Sequence, residues 1–173
     1  MWRRSVQNRL RANLSARKAP PGGTESSTTM ATTSLRIHTL LGQGRFSSIL
    51  LAQRNDDPDL LVLKCHNRAT IVADLDAVLH VIREKWAMET IARLPHPFVV
   101  QHRCSHIDGD LVFYAMENVG GGDMYSMLQL RGGHLPPADV RFYAGELALA
   151  LGHVHSFDVM HRDVKVRSLP VPM

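Results

Sequence analysis

Cysteine is scarce in this sequence, and so are long apolar runs. The only cysteines among the 173 residues are Cys65 and Cys104, which are far apart and form no CxxC pair. This argues against a disulfide framework or a zinc ribbon and favours a reducing compartment, so we expect a cytoplasmic protein. No apolar run approaches the roughly 18 residues that a membrane-spanning helix needs, and no transmembrane segment is expected.

One group of metal-ligating residue types does occur, at His102, Cys104 and His106. Their spacing of two places them on one face of a strand, which we expect to face solvent. No fourth ligand stands nearby, and we predict no metal site there.

Acidic residues are absent from the first 24 positions, whereas six of the 20 basic residues lie within the first 18. The remainder has 14 basic and 16 acidic residues, a net charge of −2, so no nucleic-acid-binding face is expected. Residues 1–33 are rich in Arg, Ser, Thr, Pro and Gly and are predicted to be a disordered basic leader. A mitochondrial targeting segment is the minority interpretation of the same composition.

Hydrophobic periodicity predicts an α+β domain beginning near residue 34. The predicted strands are 35–41, 49–52, 60–65, 98–100 and 111–116, and the predicted helices are 72–94, 124–130 and 137–155. The first long helix is expected to bury one apolar stripe, formed by Leu75, Val78, Leu79, Ile82, Trp86 and Ile91. The second long helix has a similar stripe, formed by Val140, Tyr143, Ala144, Leu147, Leu151 and Val154.

Two glycines stand between the first two predicted strands, in the stretch GQGRFSSI at 42–49. Glycine lets a backbone approach a polyphosphate closely, and main-chain N–H groups can then bond its oxygens. Taken alone, this stretch is more typical of an ordinary hairpin turn than of a phosphate-binding loop.

Lys64 ends the apolar third strand, where a buried ammonium needs a partner. A polyphosphate or a carboxylate from the following helix would supply one, and Glu84 and Glu89 are the candidates. The choice between the two glutamates rests on a resemblance to a known family, which favours Glu84, 20 residues past Lys64. The alternatives are a lysine snorkelling at a strand end and glutamates on a solvated helix face.

The most specific motif is HRDVK at 161–165, which follows the last predicted helix. The glycine loop, Lys64, the segment MENV at 116–119 and this motif together resemble the eukaryotic protein kinase domain, in the same order. The finer resemblance is to the AGC group of serine/threonine kinases (protein kinase A-, C- and ROCK-like). It rests on HPFVV at 96–100, MENVGGGDM at 116–124 and RFYAGELALAL at 141–151. The histidine that opens HRD favours ROCK- or NDR-like branches.

The resemblance implies a protein-kinase-like fold with ATP as cofactor and a protein substrate or regulatory partner. It implies a small lobe at 34–117 (five antiparallel strands and one main helix), a hinge at 118–123 and the first helices of a large lobe at 124–165. The implied catalytic residues are Asp163, which orients the substrate hydroxyl and accepts its proton, and Lys165, which stabilises the transferred phosphoryl group. The implied nucleotide-binding residues are Gly42, Gly44, Phe46, Ser47, Ile49, Val62, Lys64, Glu84, Met116, Glu117, Val119 and Asp123.

Several positions depart from the family pattern. Ser47 replaces the third glycine, and Val62 replaces the small residue that usually covers the adenine. Residues 166–173 form a divergent tail in which Ser168 replaces the metal-binding asparagine, and no DFG motif follows. We therefore expect the Mg²⁺ ligands of the complete family to be missing and this chain to be inactive through truncation, as in a truncated or spliced product. The alternative is a non-catalytic, pseudokinase-like binding module or decoy.

Overall fold

The computed structural model describes residues 35–166. Predictions for the leader 1–33 and for tail residues 167–173 lie outside this range. The strands are β1 (Leu35–Gln43), β2 (Ser47–Arg54), β3 (Leu60–Asn67), β4 (His102–Asp108) and β5 (Leu111–Glu117). The helices are α1 (Arg68–Val72), α2 (Leu75–Ile91), α3 (Met124–Leu130) and α4 (Pro137–His155). The described chain divides into two compact units, one of residues 35–79 with 104–115 and the other of residues 80–103 with 116–166.

The strands form one sheet in the order β1-β2-β3-β5-β4, which confirms the predicted α+β fold with five strands. β1 pairs antiparallel with β2, and β2 pairs antiparallel with β3. Two register shifts interrupt the β1–β2 pairing, between Ile37 and Thr39 and between Leu40 and Gly42. Such irregularities bend a strand locally, and the second lies where β1 enters the glycine turn.

One face of the sheet forms the core of the first unit. Side chains alternate between the two faces of a strand, so the buried residues of β2 and β3 recur at every second position. The core cluster consists of Leu35, Leu50, Ala52, Leu61, Leu63, Cys65, Leu111, Phe113 and Ala115. At about 25 cal/mol per Å² of apolar surface removed from water, this cluster is the main stabilising feature of the unit.

The predicted helix 72–94 is shorter in the structure, where α2 spans Leu75–Ile91 and a separate short helix, α1, ends at Val72. The Asn67 side chain caps α1 by accepting from the Thr70 N–H at 3.2 Å. The Asp74 side chain then accepts from the Asp76 and Ala77 N–H groups at 3.0 and 3.3 Å. Because Asp74 caps a new helix, α2 begins at Leu75.

The predicted buried stripe of α2 is wrong. Leu75, Leu79, Ile82 and Trp86 are exposed, whereas Ala77 and Val81 on the opposite side are buried. Both sides of α2 present apolar side chains, so periodicity alone could not choose between them.

The strand predicted at 98–100 is also wrong, because this segment is a turn. The Phe98 N–H donates to His96 Nδ1 at 3.2 Å, and the Val99 N–H donates to the His96 carbonyl at 3.1 Å. These local hydrogen bonds around Pro97 replace strand pairing, and β4 begins only at His102.

The expectation that His102, Cys104 and His106 face solvent is wrong as well. All three are partly buried, while Arg103 and Ile107 are exposed. Cys104 packs against the core cluster, and the His106 ring lies 5.6 Å from the Phe113 ring, centroid to centroid. The alternation was predicted correctly, but its inward face was not.

The second unit contains α3 and α4, which have the predicted bounds. Pro137 opens α4 at a position where proline needs no hydrogen-bond partner. Arg131, just after α3, pairs with Asp139 in the first turn of α4 at 2.8 Å. Of the stripe predicted for α4, Val154 is buried, whereas Val140 is exposed. The apolar residues of α4 are therefore covered chiefly at its C-terminal end.

Candidate nucleotide site

The glycine loop is the turn of the β1–β2 hairpin. The Gly44 N–H donates to the Ser47 carbonyl at 2.8 Å, which closes the turn. A Cβ atom added at Gly44 would lie 3.1 Å from Ser47 Oγ, whereas one added at Gly42 would meet nothing closer than 3.9 Å. Of the two glycines, Gly44 is therefore the one where an added side chain would be tight against the turn.

The register of the strands places Lys64 beside this loop. Gly42 pairs with Ile49 across β1 and β2, and Ile49 pairs with Lys64 across β2 and β3. The three residues thus form one lateral row across three strands, one strand spacing of about 4.8 Å from each to the next. Val62 lies two residues before Lys64 and therefore shares its face, opposite to buried Leu61 and Leu63.

Two residues at the tip of the loop contact each other. The Arg45 guanidinium carbon lies 4.7 Å from the centroid of the Phe46 ring, a cation–π arrangement. Arg45 is exposed and Phe46 is half-buried. The sequence placed Phe46 near the nucleotide, and the structure adds a cation in front of it.

The two candidate glutamates of α2 differ in their surroundings. Glu89 pairs with Lys85 one turn earlier on the helix, at 3.0 Å. Glu84 Oε2, in contrast, is a buried atom. Glu89 therefore has a cation beside it on the helix surface, and the choice of Glu84 as the partner of Lys64 stays a prediction.

The predicted hinge begins at the end of β5, where sequence reasoning missed Gln101 and Arg103. The Glu117 N–H donates to the Gln101 carbonyl at 3.0 Å, and Glu117 Oε1 accepts from the Gln101 N–H at 3.0 Å. Arg103 lies 3.9 Å from Glu117 Oε2. Met116, Glu117 and Val119 are all half-buried. Reciprocal main-chain and side-chain hydrogen bonds therefore fix Glu117, the last residue of β5 before the predicted hinge.

Asp123, predicted to bond a ribose, caps a helix. Its Oδ1 accepts from the Ser126 N–H at 2.7 Å, and it is the N-cap of α3. The preceding Gly122 has a φ of +83°, a left-handed conformation that favours glycine. One oxygen of the Asp123 carboxylate is thus engaged in capping α3. The ribose contact stays a prediction.

Asp163 and Lys165 come together in the HRDVK segment. Lys165 Nζ donates to Asp163 Oδ2 at 2.6 Å, and the Asp163 N–H donates to His161 Nδ1 at 3.3 Å. The Lys165 ammonium, through its hydrogen bond and its charge, lowers the pKa of the Asp163 carboxyl below its usual value. Arg162, between His161 and Asp163, has a φ of +64°, which is strained for a non-glycine residue.

A histidine contact that the sequence did not reveal supports the end of α4. His153 Nε2 lies 2.9 Å from the Leu94 carbonyl oxygen, and the His153 ring stacks on the His96 ring with centroids 4.7 Å apart. The Phe157 ring packs edge-on against His153. These contacts join the turn at 94–98 to the segment that leads into HRDVK, all within the second unit.

In residues 35–166, no three His, Cys, Asp or Glu side chains come together in a group that could hold a metal ion. Asp163 faces an ammonium group instead. We assign the described residues no metal-binding role. Over the same range, no helix combines the length and apolarity that crossing a bilayer requires.

Comparison with known proteins identifies the family. The model of the protein kinase domain matches residues 35–169, and the chain therefore belongs to the protein kinase family. "Protein kinase C-like 1B" of Caenorhabditis elegans is 32% identical over 158 residues, 91% of this chain and 21% of that protein. The serine/threonine-protein kinases Sgk2 of Homo sapiens and Sgk1 of Danio rerio are each 28% identical over 130 residues, 75% of this chain.

Those 130 residues are 34% of the Sgk2 chain and 29% of the Sgk1 chain, so the match spans about a third or less of these relatives. The relatives are AGC-group kinases, which confirms the resemblance drawn from HPFVV, MENVGGGDM and RFYAGELALAL. The narrower assignment to ROCK- or NDR-like branches stays a prediction.

Proposed function

We propose that this chain binds ATP at the β1–β2–β3 face, and that it acts in phosphoryl transfer to serine or threonine of a protein. The lateral row of Gly42, Ile49 and Lys64 is the observation that best supports the proposal. It sets an ammonium group one strand away from an apolar side chain and two strands away from a glycine. Phosphates and an adenine ring need this combination of a cation, a close backbone and an apolar surface.

Asp163 is the proposed proton acceptor. The Asp163 carboxyl, whose pKa lies below its ordinary value, is ionised at neutral pH, as a group that orients a substrate hydroxyl and takes its proton must be. Lys165, at 2.6 Å, is the proposed stabiliser of the transferred phosphoryl group. Both side chains are exposed, which leaves them accessible to a protein substrate.

The substrate class follows from the relatives' names, which specify serine/threonine-protein kinases. We extend this class to the present chain, with a protein substrate or regulatory protein as partner. Cys65 and Cys104 are both free thiols, and we therefore place the protein in a reducing compartment such as the cytoplasm.

The binding part is tested by titrating the full chain with ATP, with adenosine in parallel, by calorimetry. Lys64→Ala is expected to weaken ATP binding about tenfold or more, since a charged hydrogen bond contributes about 1.5–3 kcal/mol. Lys85→Ala is the matched control, because Lys85 is engaged by Glu89 on α2. Equal losses in both variants, or no ATP binding by the unaltered chain with native circular dichroism, would contradict the proposal.

The transfer part is tested separately with radiolabelled ATP, Mg²⁺ and a Ser/Thr peptide library. Label should enter peptides with the unaltered chain and should not with Asp163→Asn. If ATP binds but no label is transferred by either protein, the chain is a nucleotide-binding module and the catalytic part of the proposal is wrong.

A further inference from the structure

The β1–β2 hairpin contains no acidic residue. Residues 35–55 include Arg36, Arg45 and Arg54 but no Asp or Glu. A hairpin with one sign of charge produces a local positive potential that attracts anions. Which of its three arginines can meet a ligand depends on where each lies along the hairpin.

Arg36 and Arg54 lie at the open end of the hairpin, since Leu35 pairs with Arg54 and Arg36 with Gln53. Arg54 is also engaged by Asp56, through two hydrogen bonds of 2.6 and 2.9 Å. Arg45 lies at the opposite end, in the turn between Gly44 and Ser47. Nine residues separate Arg36 from Arg45, which corresponds to roughly 25–30 Å of strand.

Arg45 is held in place but has no charged partner. Its guanidinium lies over the Phe46 ring, and it pairs with no carboxylate anywhere in 35–166. A cation–π contact uses the charge and the plane of the guanidinium, whereas its N–H donors project along the edges. The ring contact therefore orients the group without using up the donors that would bind an oxyanion.

One main-chain N–H group of the turn is already used inside the turn and is not available to a ligand. The Gly44 N–H, which could bond a phosphate, already donates to the Ser47 carbonyl. A side-chain donor from the adjacent residue would replace the lost contact.

We infer that Arg45 is the residue that selects nucleotides by their phosphate groups, donating from its guanidinium to the outer phosphate oxygens. This inference rests on the proposed ATP binding and adds the selectivity of that same site. Arginine forms bidentate, charge-assisted hydrogen bonds with phosphate, and a glutamine in its place keeps polarity without charge. The chain should accordingly prefer ATP and ADP to AMP and adenosine.

The experiment measures dissociation constants of ATP, ADP, AMP and adenosine for the full chain in EDTA, by calorimetry or competition with a fluorescent ATP analogue. Arg45→Gln is expected to weaken ATP about tenfold while adenosine changes less than about twofold. Arg36→Gln, which removes the same charge from the far end of the hairpin, should change neither by more than about twofold. Arg45→Lys should fall between Arg45→Gln and the unaltered chain, because a point charge remains without the fork.

Circular dichroism and the urea midpoint of each variant verify that the fold is retained. An unchanged ratio of ATP to adenosine affinity in Arg45→Gln would overturn the inference and leave the proposed function standing. So would equal losses for ATP and adenosine, which would mean that Arg45 only shapes the loop. If the unaltered, folded chain binds no nucleotide, the proposed function fails and the inference with it.

Discussion

Lys165 Nζ lies 2.6 Å from Asp163 Oδ2, two residues earlier in the HRDVK segment. The hydrogen bond from Lys165 is the main cause of the lowered Asp163 pKa, followed by the charge of the same ammonium group, with a smaller contribution from His161. Replacing Lys165 by Met should therefore raise the pKa of Asp163 toward its ordinary value of 3.8. A ¹³C NMR titration of the Asp163 carboxyl measures this shift directly.

The sign of the associated stability effect follows from linkage. A carboxyl whose pKa is lower in the folded state stabilises the fold above its unfolded pKa, and this contribution is lost as the pH falls through the folded pKa. The window here lies below about pH 4. Because Asp163 is exposed, solvent screening keeps the effect small. Lys85→Met serves as the control, and an identical Asp163 titration in both variants would contradict the 2.6 Å contact.

The burial of Cys65 predicts that the folded protein loses stability at alkaline pH. Burial raises the pKa of the Cys65 thiol from 9.0 to about 12, because the thiolate cannot be solvated in the core of the first unit. A thiol with a raised folded pKa stabilises the fold fully below its unfolded pKa and loses that contribution as pH rises toward the folded value. The urea midpoint should therefore fall between about pH 9 and 12, and Cys65→Ala should flatten this slope.

Cys104→Ala is the comparison for that experiment. Burial also raises the pKa of Cys104, and the charge of Arg54 opposes the shift. Cys104 is only partly buried, and its replacement should change the alkaline slope less than Cys65→Ala does. A larger change in the Cys104 variant would show that the two thiols have been assigned the wrong environments.

The exposures of two neighbouring residues show which side of α2 is buried. Val81 is 8% exposed and Ile82 is 56% exposed. Val81→Ala should cost about 2 kcal/mol of unfolding free energy, because it leaves a cavity. Ile82→Ala should stay within about 0.5 kcal/mol, because alanine favours the helix and little burial is lost. Urea denaturation of the pair is the measurement, and the reverse order would restore the stripe predicted from the sequence.

The glycine turn gives a prediction about coupling between Gly44 and Ser47. A Cβ at position 44 would stand 3.1 Å from Ser47 Oγ, so Gly44→Ala forces the hydroxyl to move. Ser47→Ala removes that oxygen and should relieve part of the cost, giving an interaction energy of about 0.5–1 kcal/mol in a double-mutant cycle. The matched pair is Gly42→Ala with Ser47→Ala, where the nearest contact is an ordinary 3.9 Å to Ile49 and additive effects are expected.

Much of the fold could be predicted from local patterns. Alternation located β1, β2, β3 and β5 to within a few residues, and α3 and α4 have the predicted bounds because proline, glycine and aspartate mark their ends. The errors lie at 72–74 and 98–100, where side-chain hydrogen bonds from Asp74 and His96 decided the backbone. Such short-range bonds leave no periodic signal in the sequence.

The candidate site was also drawn from sequence patterns, and the roles of its residues stay predictions. Motif order indicated the glycine loop, Lys64, the hinge and HRDVK, and the family match supports that interpretation. The Glu117–Gln101 hydrogen bonds and the Arg45–Phe46 contact were not predicted. The first joins residues 16 positions apart, and the second depends on the shape of the turn. Neither relation can be derived from spacing along the chain.

The sequence by itself determined the family, the order of the elements and the residue types available for chemistry, since turn formers, periodicity and motifs are local properties. The tertiary structure decided which of two apolar sides of α2 is buried, which side of β4 turns inward, and that Gly42, Ile49 and Lys64 share one row. Those choices depend on strand register and on burial against distant residues, where the gain from removing apolar surface from water exceeds any local preference.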